Sequence, residues 1–385
     1  MALTTVSSDR LSTNVKTSNL GSELSKKVGQ NKNLIINGAM TIQQRMDSST
    51  SGGQNLTGIK TVDRFSLDFS GTDNPPTQIP VDVAAGTTPY TSGFRRCFKI
   101  INGNQTSGAG ADDSIVITYK TEAQDMANSG WNYTSASSYV TLSFWVKASV
   151  AQNYFFRLQT RDGTNYNYPM ETGALSADTW TKITKTIPGN SNLVINNDNG
   201  EGPKIEWCMF RGTNQTASSV TLNQWAAAGD TITTPDQTST WYTTDDATFE
   251  ITGVQLEVGS VATDFEFRSF GHEISLCERY FQRIPRNPSD GYGGICNGRC
   301  NSSTTAEQIL TFPEMRATPT LNSSGNLRIL HGGSAKGVNS ITLLHGARTT
   351  IFFSVAVPSG LSSGDAAQLT LNNAATAHIT LTAEL

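Results

Sequence analysis

The stretch TFEITGVQLEVGSVATDF, residues 248–265, alternates apolar and polar side chains, turns at Gly259 and re-enters the apolar interior at Phe265. A second strand-like segment, NLIINGAM at residues 33–40, lies more than two hundred residues earlier. In a jelly-roll β-sandwich the first and last strands meet in one sheet. We therefore predict that these two segments meet, and that residues 33–268 form a single jelly-roll domain.

Short alternating segments recur between turn clusters throughout that region, and this pattern is typical of an all-β sandwich. In residues 140–147 every second side chain is apolar, so Val140, Leu142, Phe144 and Val146 are predicted to face the core, while Trp145 faces the other way. The clearest strands of the domain are predicted at residues 64–69, 114–119, 140–147, 154–159, 180–187 and 204–210.

Residues 269–285 interrupt the β pattern. Apolar side chains between Ile274 and Ile284 recur at spacings near three and four, which predicts a linking helix that Pro285 ends. So broad an apolar face is expected to bury itself on a domain, or on copies of the helix around a symmetry axis.

Residues 286–385 are predicted to form a second, smaller β-sandwich. It opens with a Gly-rich loop at residues 291–299. Its strands are predicted at residues 307–312, 327–330, 340–344, 349–356, 367–371 and 377–383.

Residues 1–32 are polar, with apolar side chains at irregular spacings of three to five. Such a segment cannot bury enough surface to order itself alone. It is a flexible tail or an arm that orders against a partner. We favour an attachment arm, because apolar positions recur along its whole length: Leu3, Val6, Leu11, Val15, Leu20, Leu24 and Val28.

The composition narrows the possible functions. Only 16% of the residues are charged and the formal net charge is −4, so the basic face that duplex nucleic acid requires is not expected. The five cysteines are odd in number and mostly far apart, which predicts reduced packing residues. No run of residues approaches a membrane span and the start of the chain does not resemble a secretory signal, so we expect a soluble protein made in a cytoplasm.

Aromatic and amide side chains suggest a carbohydrate site. A pyranose ring needs a flat apolar face for its C–H groups and polar groups for its hydroxyls. A glycan cleft would form if five side chains converged on one concave sheet: Trp145, Arg157, Gln159, Tyr166 and Tyr168. The alternative is that Trp145 fills the second face of the sandwich or an interface between subunits.

Metal and catalytic sites have weaker support, and we expect no cofactor. Cys296 and Cys300 form only half of a zinc site, and the pair Asp245 and Asp246 could bind a hard cation or could simply form a turn. The four histidines, His272, His331, His345 and His378, are not at metal-ligand spacing and are expected at surfaces or interfaces. A polysaccharide-degrading enzyme would need two carboxylates across a groove, and Glu171 with Glu206 is one such pair.

An ordered series of short motifs resembles phage structural proteins, often called tail fibres, that couple a carbohydrate-binding jelly roll to a small C-terminal β domain. The series runs along residues 33–385: NLIING at 33–38, QQR at 43–45, VDRF at 62–65, LSFWVK at 142–147, residues 249–267, LCERYF at 276–281, FPEMRATP at 312–319 and AEL at 383–385.

The resemblance implies a virion component, commonly a homotrimer, that contacts a host surface polysaccharide or decorates the particle, with the N-terminal arm attaching it to other virion proteins. We expect a structural protein and not an enzyme. Modules of this kind often carry a structural calcium ion beside their first and last strands. The corresponding positions here, Ala39, Met40, Thr252 and Gly253, offer no carboxylate, so we do not expect the ion in this chain. A capsid decoration protein and a polysaccharide-degrading enzyme stay open as alternatives.

Overall fold

The chain is almost entirely β-structure in the computed structural model, which describes residues 32–46, 51–227, 233–286 and 291–385. The predicted N-terminal arm, apart from Lys32, lies outside the described residues. The strands of the first domain are β1 Phe65–Ser70, β2 Thr77–Asp82, β3 Arg96–Ile101, β4 Ser114–Glu122, β5 Tyr139–Ala148, β6 Asn153–Gln159, β7 Tyr166–Ala174, β8 Thr181–Pro188, β9 Glu201–Arg211, β10 Ala226–Ala227 and β11 Thr248–Val258.

These strands form two antiparallel sheets that pack face to face, as the all-β prediction requires. One has six strands in the order β1-β4-β9-β6-β7-β10, and the other has five in the order β2-β3-β11-β5-β8. The core between them is aromatic: Phe144 of the five-stranded sheet meets Phe156 and Trp207 of the six-stranded sheet edge-on, with ring centroids 5.1 and 5.7 Å apart. Val140, Leu142, Phe144 and Val146 all lie in this core, which confirms the predicted alternation.

The opening segment meets the closing strand, but it is not itself a strand. Residues 36–39 form a turn, with a bend on each side at residues 35 and 40. The segment nevertheless bonds to β11: the Leu34 amide donates to the Leu256 carbonyl at 2.8 Å, and the Val254 amide donates to the Gly38 carbonyl at 2.9 Å. The predicted contact is present, whereas the predicted strand at 33–40 was wrong.

The linking helix is shorter than predicted. Among the described residues the helices are α1 Thr88–Thr91, α2 Ala123–Ala127, α3 Thr240–Thr243 and α4 Phe270–Glu278. Residues Phe281–Ile284, expected in the helix, form strand β12 because they pair with a C-terminal strand, and tertiary pairing overrides a local helical pattern. Helix α4 buries Ile274 and Cys277 against Ile36 and Ile42 of the opening segment.

Among the described residues, no helix is both long and apolar enough to cross a membrane.

The second domain is also a sandwich. Its strands after β12 are β13 Gly294–Cys300, β14 Thr305–Thr311, β15 Thr320–Ser324, β16 Leu327–His331, β17 Ser334–Gly337, β18 Ser340–Gly346, β19 Thr350–Ala356, β20 Ala366–Leu371 and β21 His378–Thr382. A three-stranded sheet, β12-β21-β15, packs on a seven-stranded sheet, β17-β16-β20-β13-β14-β19-β18. Most of the predicted Gly-rich loop is therefore strand β13, which pairs with β14 and β20 on its two sides.

Charged side chains join the two domains. The carboxylate of Glu384, just beyond β21, accepts hydrogen bonds from Arg45 Nη2 at 2.8 Å and from Arg64 Nη1. Arg45 Nη1 also pairs with Asp63 at 3.0 Å. The guanidinium groups of Arg45 and Arg64 lie over the rings of Phe281 and Tyr280, 3.7 and 3.5 Å from the ring centroids.

A second set of contacts extends this junction. Glu122, at the end of β4, accepts from Arg279 Nε at 2.8 Å and from the Tyr280 hydroxyl at 2.9 Å. Arg316 and Asn199 exchange two hydrogen bonds of 2.6 Å. Motifs that are scattered through the sequence, from QQR to AEL, therefore meet at one place in the fold.

Candidate functional site

The five predicted glycan-binding residues do not form one cleft. Trp145 lies on β5, on the outer face of the five-stranded sheet. Arg157 and Gln159 lie on β6, and Tyr166 and Tyr168 on β7, both in the six-stranded sheet. The predicted convergence was wrong, because the alternation of a strand shows which residues share a face but not which sheet the strand joins.

The two tyrosines face the interior. Tyr168 is opposite Leu158, a core residue, and its ring lies 5.2 Å from that of Trp225. It is 4% exposed, and burial raises the pKa of its hydroxyl. Tyr166 packs partly buried against the same core. The Tyr168 ring therefore offers no free face to a sugar.

Arg157 belongs to a buried ion network centred on Glu206. The Glu206 carboxylate forms ion pairs with Arg157 Nε at 2.6 Å and with Arg211 Nη2 and Lys204 Nζ, both at 2.7 Å. Arg157 Nη1 donates to Asn167 Oδ1 at 2.8 Å. Gln159 is buried on the same strand.

The same network determines the charge of Glu206. Burial alone would raise the pKa of Glu206, but the positive charges of Arg157, Arg211 and Lys204 outweigh it and hold the pKa far below its usual range. Glu206 is therefore ionised at neutral pH. Its predicted partner Glu171 accepts from Asn153 Nδ2 at 2.7 Å.

Trp145 lies in a pocket of about 360 Å³ on the outer face of the five-stranded sheet. Three phenylalanines line the pocket with it: Phe94, before β3, and Phe265 and Phe267, after β11. The Phe94 ring centroid lies 4.9 Å from that of Phe265 and 5.1 Å from that of Phe267. Phe267 is 53% exposed, and Trp145 is half-buried, so part of this aromatic surface is open to solvent.

A bulge in β11 makes room for these rings. The register of β11 against β5 shifts between Thr252 and Gln255, and Gly253 in the bulge has φ +63°. A Cβ on Gly253 would lie 2.6 Å from Cζ of Phe94, and one on Gly93 would lie 2.9 Å from Cζ of Phe267. Both glycines are thus needed for the close approach of the two phenylalanines.

Polar groups surround the aromatic surface. Lys182 on β8 stands directly opposite Trp145, and Ser143, Thr263 and Asp264 also line the pocket. In the described part of the chain Lys182 has no carboxylate within ion-pair distance. Thr263 is fixed by Glu257, which accepts from its amide at 2.7 Å and from its hydroxyl at 2.6 Å. The pocket therefore combines flat apolar rings with hydrogen-bonding groups.

The sequence indicated only part of this pocket. The outward orientation of Trp145 followed from the alternation in β5. Phe265 was expected in the main interior, but it belongs to the outer cluster with Trp145. Phe94 and Phe267 come from separate loops, one before β3 and one after β11, and no local pattern connects them.

The proposed metal positions do not form a site. Within the described ranges, no three His, Cys, Asp or Glu side chains are placed to hold a metal ion. Asp245 and Asp246 are exposed in the turn between α3 and β11. Cys296 and Cys300 are free thiols buried in the core of the second domain, and burial raises the pKa of Cys296 to about 12.

One histidine departs from its predicted surface position. His331, at the end of β16, is buried, with Nδ1 3.8 Å from Asp365 Oδ2. His345 stacks on Phe352, with centroids 6.3 Å apart, and His272 is exposed in α4.

No protein-family model matches the chain, and no curated protein matches its sequence.

Several solved structures are distantly similar in shape. The enzymatically active domain of tailspike protein 4 from bacteriophage CBA120 is 10% identical over 59% of this chain, with a TM-score of 0.32, and the match spans 22% of the tailspike chain. A family 11 carbohydrate-binding module from Clostridium thermocellum, in complex with a β-1,3-1,4-mixed-linked tetrasaccharide, is 11% identical over 54% of this chain and 96% of its own, with a TM-score of 0.25.

The N-terminal cellulose-binding domain of β-1,4-glucanase C from Cellulomonas fimi is 10% identical over 51% of this chain and 90% of its own, with a TM-score of 0.26. Likenesses this distant assign a role to no residue of this chain.

Proposed function

We propose that this chain is a glycan-binding structural component of a bacteriophage particle, and that Trp145 provides the platform on which a sugar ring packs. The observation that carries the proposal is the pocket in which half-buried Trp145 adjoins Phe94, Phe265 and Phe267. Pockets of this size, with apolar walls and a few polar groups, are typical of small-ligand sites.

The chemistry of the pocket suits a saccharide. The C–H face of a pyranose can pack on the open part of the Trp145 indole, because aromatic rings offer flat apolar area with an electron-rich face. Lys182 and the Ser143 hydroxyl can donate to ring hydroxyls, and the Asp264 carboxylate can accept from them. The ligand class is thus a hydroxylated ring with one apolar face.

The place in a virion is proposed from the ordered motifs of residues 33–385, which resemble phage tail fibre proteins. The structure adds a physical role for several of these motifs, since they build the junction between the two domains. We propose that the protein acts as a homotrimer, with residues 1–32 attaching it to other virion proteins. Light scattering tests the trimer: the expected particle has three times the 41.4 kDa mass of the chain, and a stable monomer would contradict it.

We propose a binding role and not a catalytic one. A glycosidase needs a carboxyl group that carries a proton near neutral pH. The low pKa of Glu206 and its three cationic partners make it unsuited to that role. Release of reducing ends from a purified host glycan would contradict this part of the proposal.

The direct test is a glycan array with the full chain, followed by calorimetry on the strongest ligand. Trp145→Ala should weaken binding at least about tenfold, since losing an aromatic contact of about 1.4 kcal/mol has that effect. Trp145→Phe keeps a smaller ring and should bind with intermediate affinity. Tyr292→Ala, which removes a half-exposed ring from the second domain, is the matched control and should bind normally.

Thermal unfolding must show that both Trp145 variants are folded. If folded Trp145→Ala bound the glycan with unchanged affinity, Trp145 would not be the sugar platform and its role would be packing alone.

A further inference from the structure

A second pocket, of about 590 Å³, lies where the two domains meet. It is separate from the Trp145 pocket, which is on the other sheet of the first domain. Its floor is the outer face of β1 and β4, and its opposite wall comes from β12 and β21 of the second domain.

The floor is polar from end to end. Ser66 on β1 and Thr118 on β4 are direct cross-strand partners, so their side chains stand side by side. Asp68 lies two residues beyond Ser66 at one end, and Lys120 lies two residues beyond Thr118 at the other. At about 3.3 Å per residue this floor is roughly 13 Å long.

The opposite wall presents one ring and one hydroxyl. Phe281 on β12 and Thr382 on β21 are also cross-strand partners, and both line the pocket. A ligand between floor and wall would therefore contact both domains.

Most charges around the pocket are already paired within the protein. The guanidinium groups of Arg45 and Arg64 share the carboxylate of Glu384. Lys120 Nζ lies 2.9 Å from Glu201 Oε2. These groups shape the pocket but have little charge to offer a ligand.

Two charges are left over. Lys60, on the loop before β1, lines the pocket and has no carboxylate within ion-pair distance in the described part of the chain. Asp68 likewise has no cationic partner there, and it accepts only from the hydroxyls of Ser66, at 2.8 Å, and Thr57, at 3.4 Å. The Thr118 hydroxyl has no hydrogen-bond partner within the described residues. The fold does not use these groups, although they face one cavity.

We propose that this interdomain pocket binds a hydroxylated carboxylate of the uronic acid type. The Lys60 ammonium group pairs with the ligand carboxylate, the Asp68 carboxylate accepts from ligand hydroxyls, and Ser66, Thr118 and Thr382 complete the hydrogen bonding. A neutral sugar would leave Lys60 unpaired, and a cationic ligand would be repelled by it. A ligand with one carboxylate and several hydroxyls therefore provides a partner for both Lys60 and Asp68.

The test is calorimetric titration of the full chain with D-glucuronate, D-glucose and acetate as separate probes. D-glucuronate should bind in the millimolar range, D-glucose at least about tenfold more weakly, and acetate without detectable affinity. Lys60→Met should weaken D-glucuronate binding at least about tenfold and leave D-glucose binding unchanged, whereas Asp68→Asn should weaken both.

Matched controls separate this pocket from the Trp145 site. Lys185→Met and Asp82→Asn change the same residue types on the other sheet, at positions that line neither pocket, and both should bind D-glucuronate normally. The inference is overturned if D-glucuronate does not bind at concentrations on the order of 10 mM, if acetate binds equally well, or if Lys185→Met abolishes binding while Lys60→Met does not. The two sites are tested by different variants, Lys60→Met for this pocket and Trp145→Ala for the other, so failure here leaves the proposed function to its own test.

Discussion

The contact between the domains can be tested by neutralising Glu384. In Glu384→Gln the carboxylate shared by Arg45 and Arg64 becomes an uncharged amide. The Arg64 side chain is 2% exposed and the Glu384 side chain 15%, so the substitution leaves a buried guanidinium without its counter-charge. Breaking a buried ion pair in this way costs about 3–5 kcal/mol. We expect a value near the lower end, because the amide oxygen can still accept one hydrogen bond.

Scanning calorimetry of the full chain measures the effect. A loss of about 3 kcal/mol corresponds to a fall in Tm of roughly 6–12 °C for a unit of 150–250 residues. The control is Glu314→Gln, whose partner is Arg348: the side chains of that pair are 57% and 42% exposed, so its loss should cost at most about 1 kcal/mol. If both variants lowered Tm equally, the assignment of Glu384 as the central contact between the domains would be refuted.

Three further predictions follow from the packing and the charges. Gly253→Ala should destabilise the first domain by about 2 kcal/mol in urea denaturation, because a Cβ meets Phe94 at φ +63°, whereas Gly271→Ala in the open face of α4 should be neutral or stabilising. Because folding lowers the pKa of Glu206, its ionised carboxylate stabilises the protein above the unperturbed value of 4.5, and this stability is lost as the pH falls below that value. Glu206→Gln should be less stable than wild type at neutral pH and should lose less stability on acidification. Equal pH profiles of the two proteins in urea denaturation would contradict this. Burial raises the pKa of all five thiols, so a thiol reagent at neutral pH should label none in the native protein and five after denaturation, and rapid native labelling would show that the cysteines are not packed as described.

The strands were the most predictable part of the fold. In β5 the apolar positions 140, 142, 144 and 146 follow the two-residue period of a strand, and that period depends only on local backbone geometry. The same rule placed Trp145 correctly on the outer face. Local periodicity thus determines which side chains share a face.

Pairing between distant segments was less predictable. Residues Phe281–Ile284 have a helical pattern but form β12, because β21 offers them a partner. The opening segment at 33–40 makes the predicted contact with β11 through turns and not as a strand, since side-chain groups such as Asn33 Oδ1 provide part of the hydrogen bonding.

In the candidate site, too, strand periodicity did not predict which side chains meet. Tyr168 and Arg157 come from neighbouring strands but face opposite sides of one sheet, while Trp145 belongs to the other sheet. The partners of Trp145 are Phe94 and Phe267, whose close approach depends on two positive-φ glycines, Gly93 before β3 and Gly253 in the β11 bulge. The spacing of residues in the sequence does not predict contacts between side chains from such distant segments.

We propose that the outer face of the five-stranded sheet binds sugar through Trp145. The most direct measurement is a titration of indole N–H signals in isotope-labelled protein with the strongest array ligand, with the Trp145 signal assigned by its loss in Trp145→Ala. We expect the Trp145 signal to shift most and those of fully buried Trp207 and Trp241 to stay in place. A ligand that binds while the Trp145 signal remains unchanged would show that the sugar site lies elsewhere.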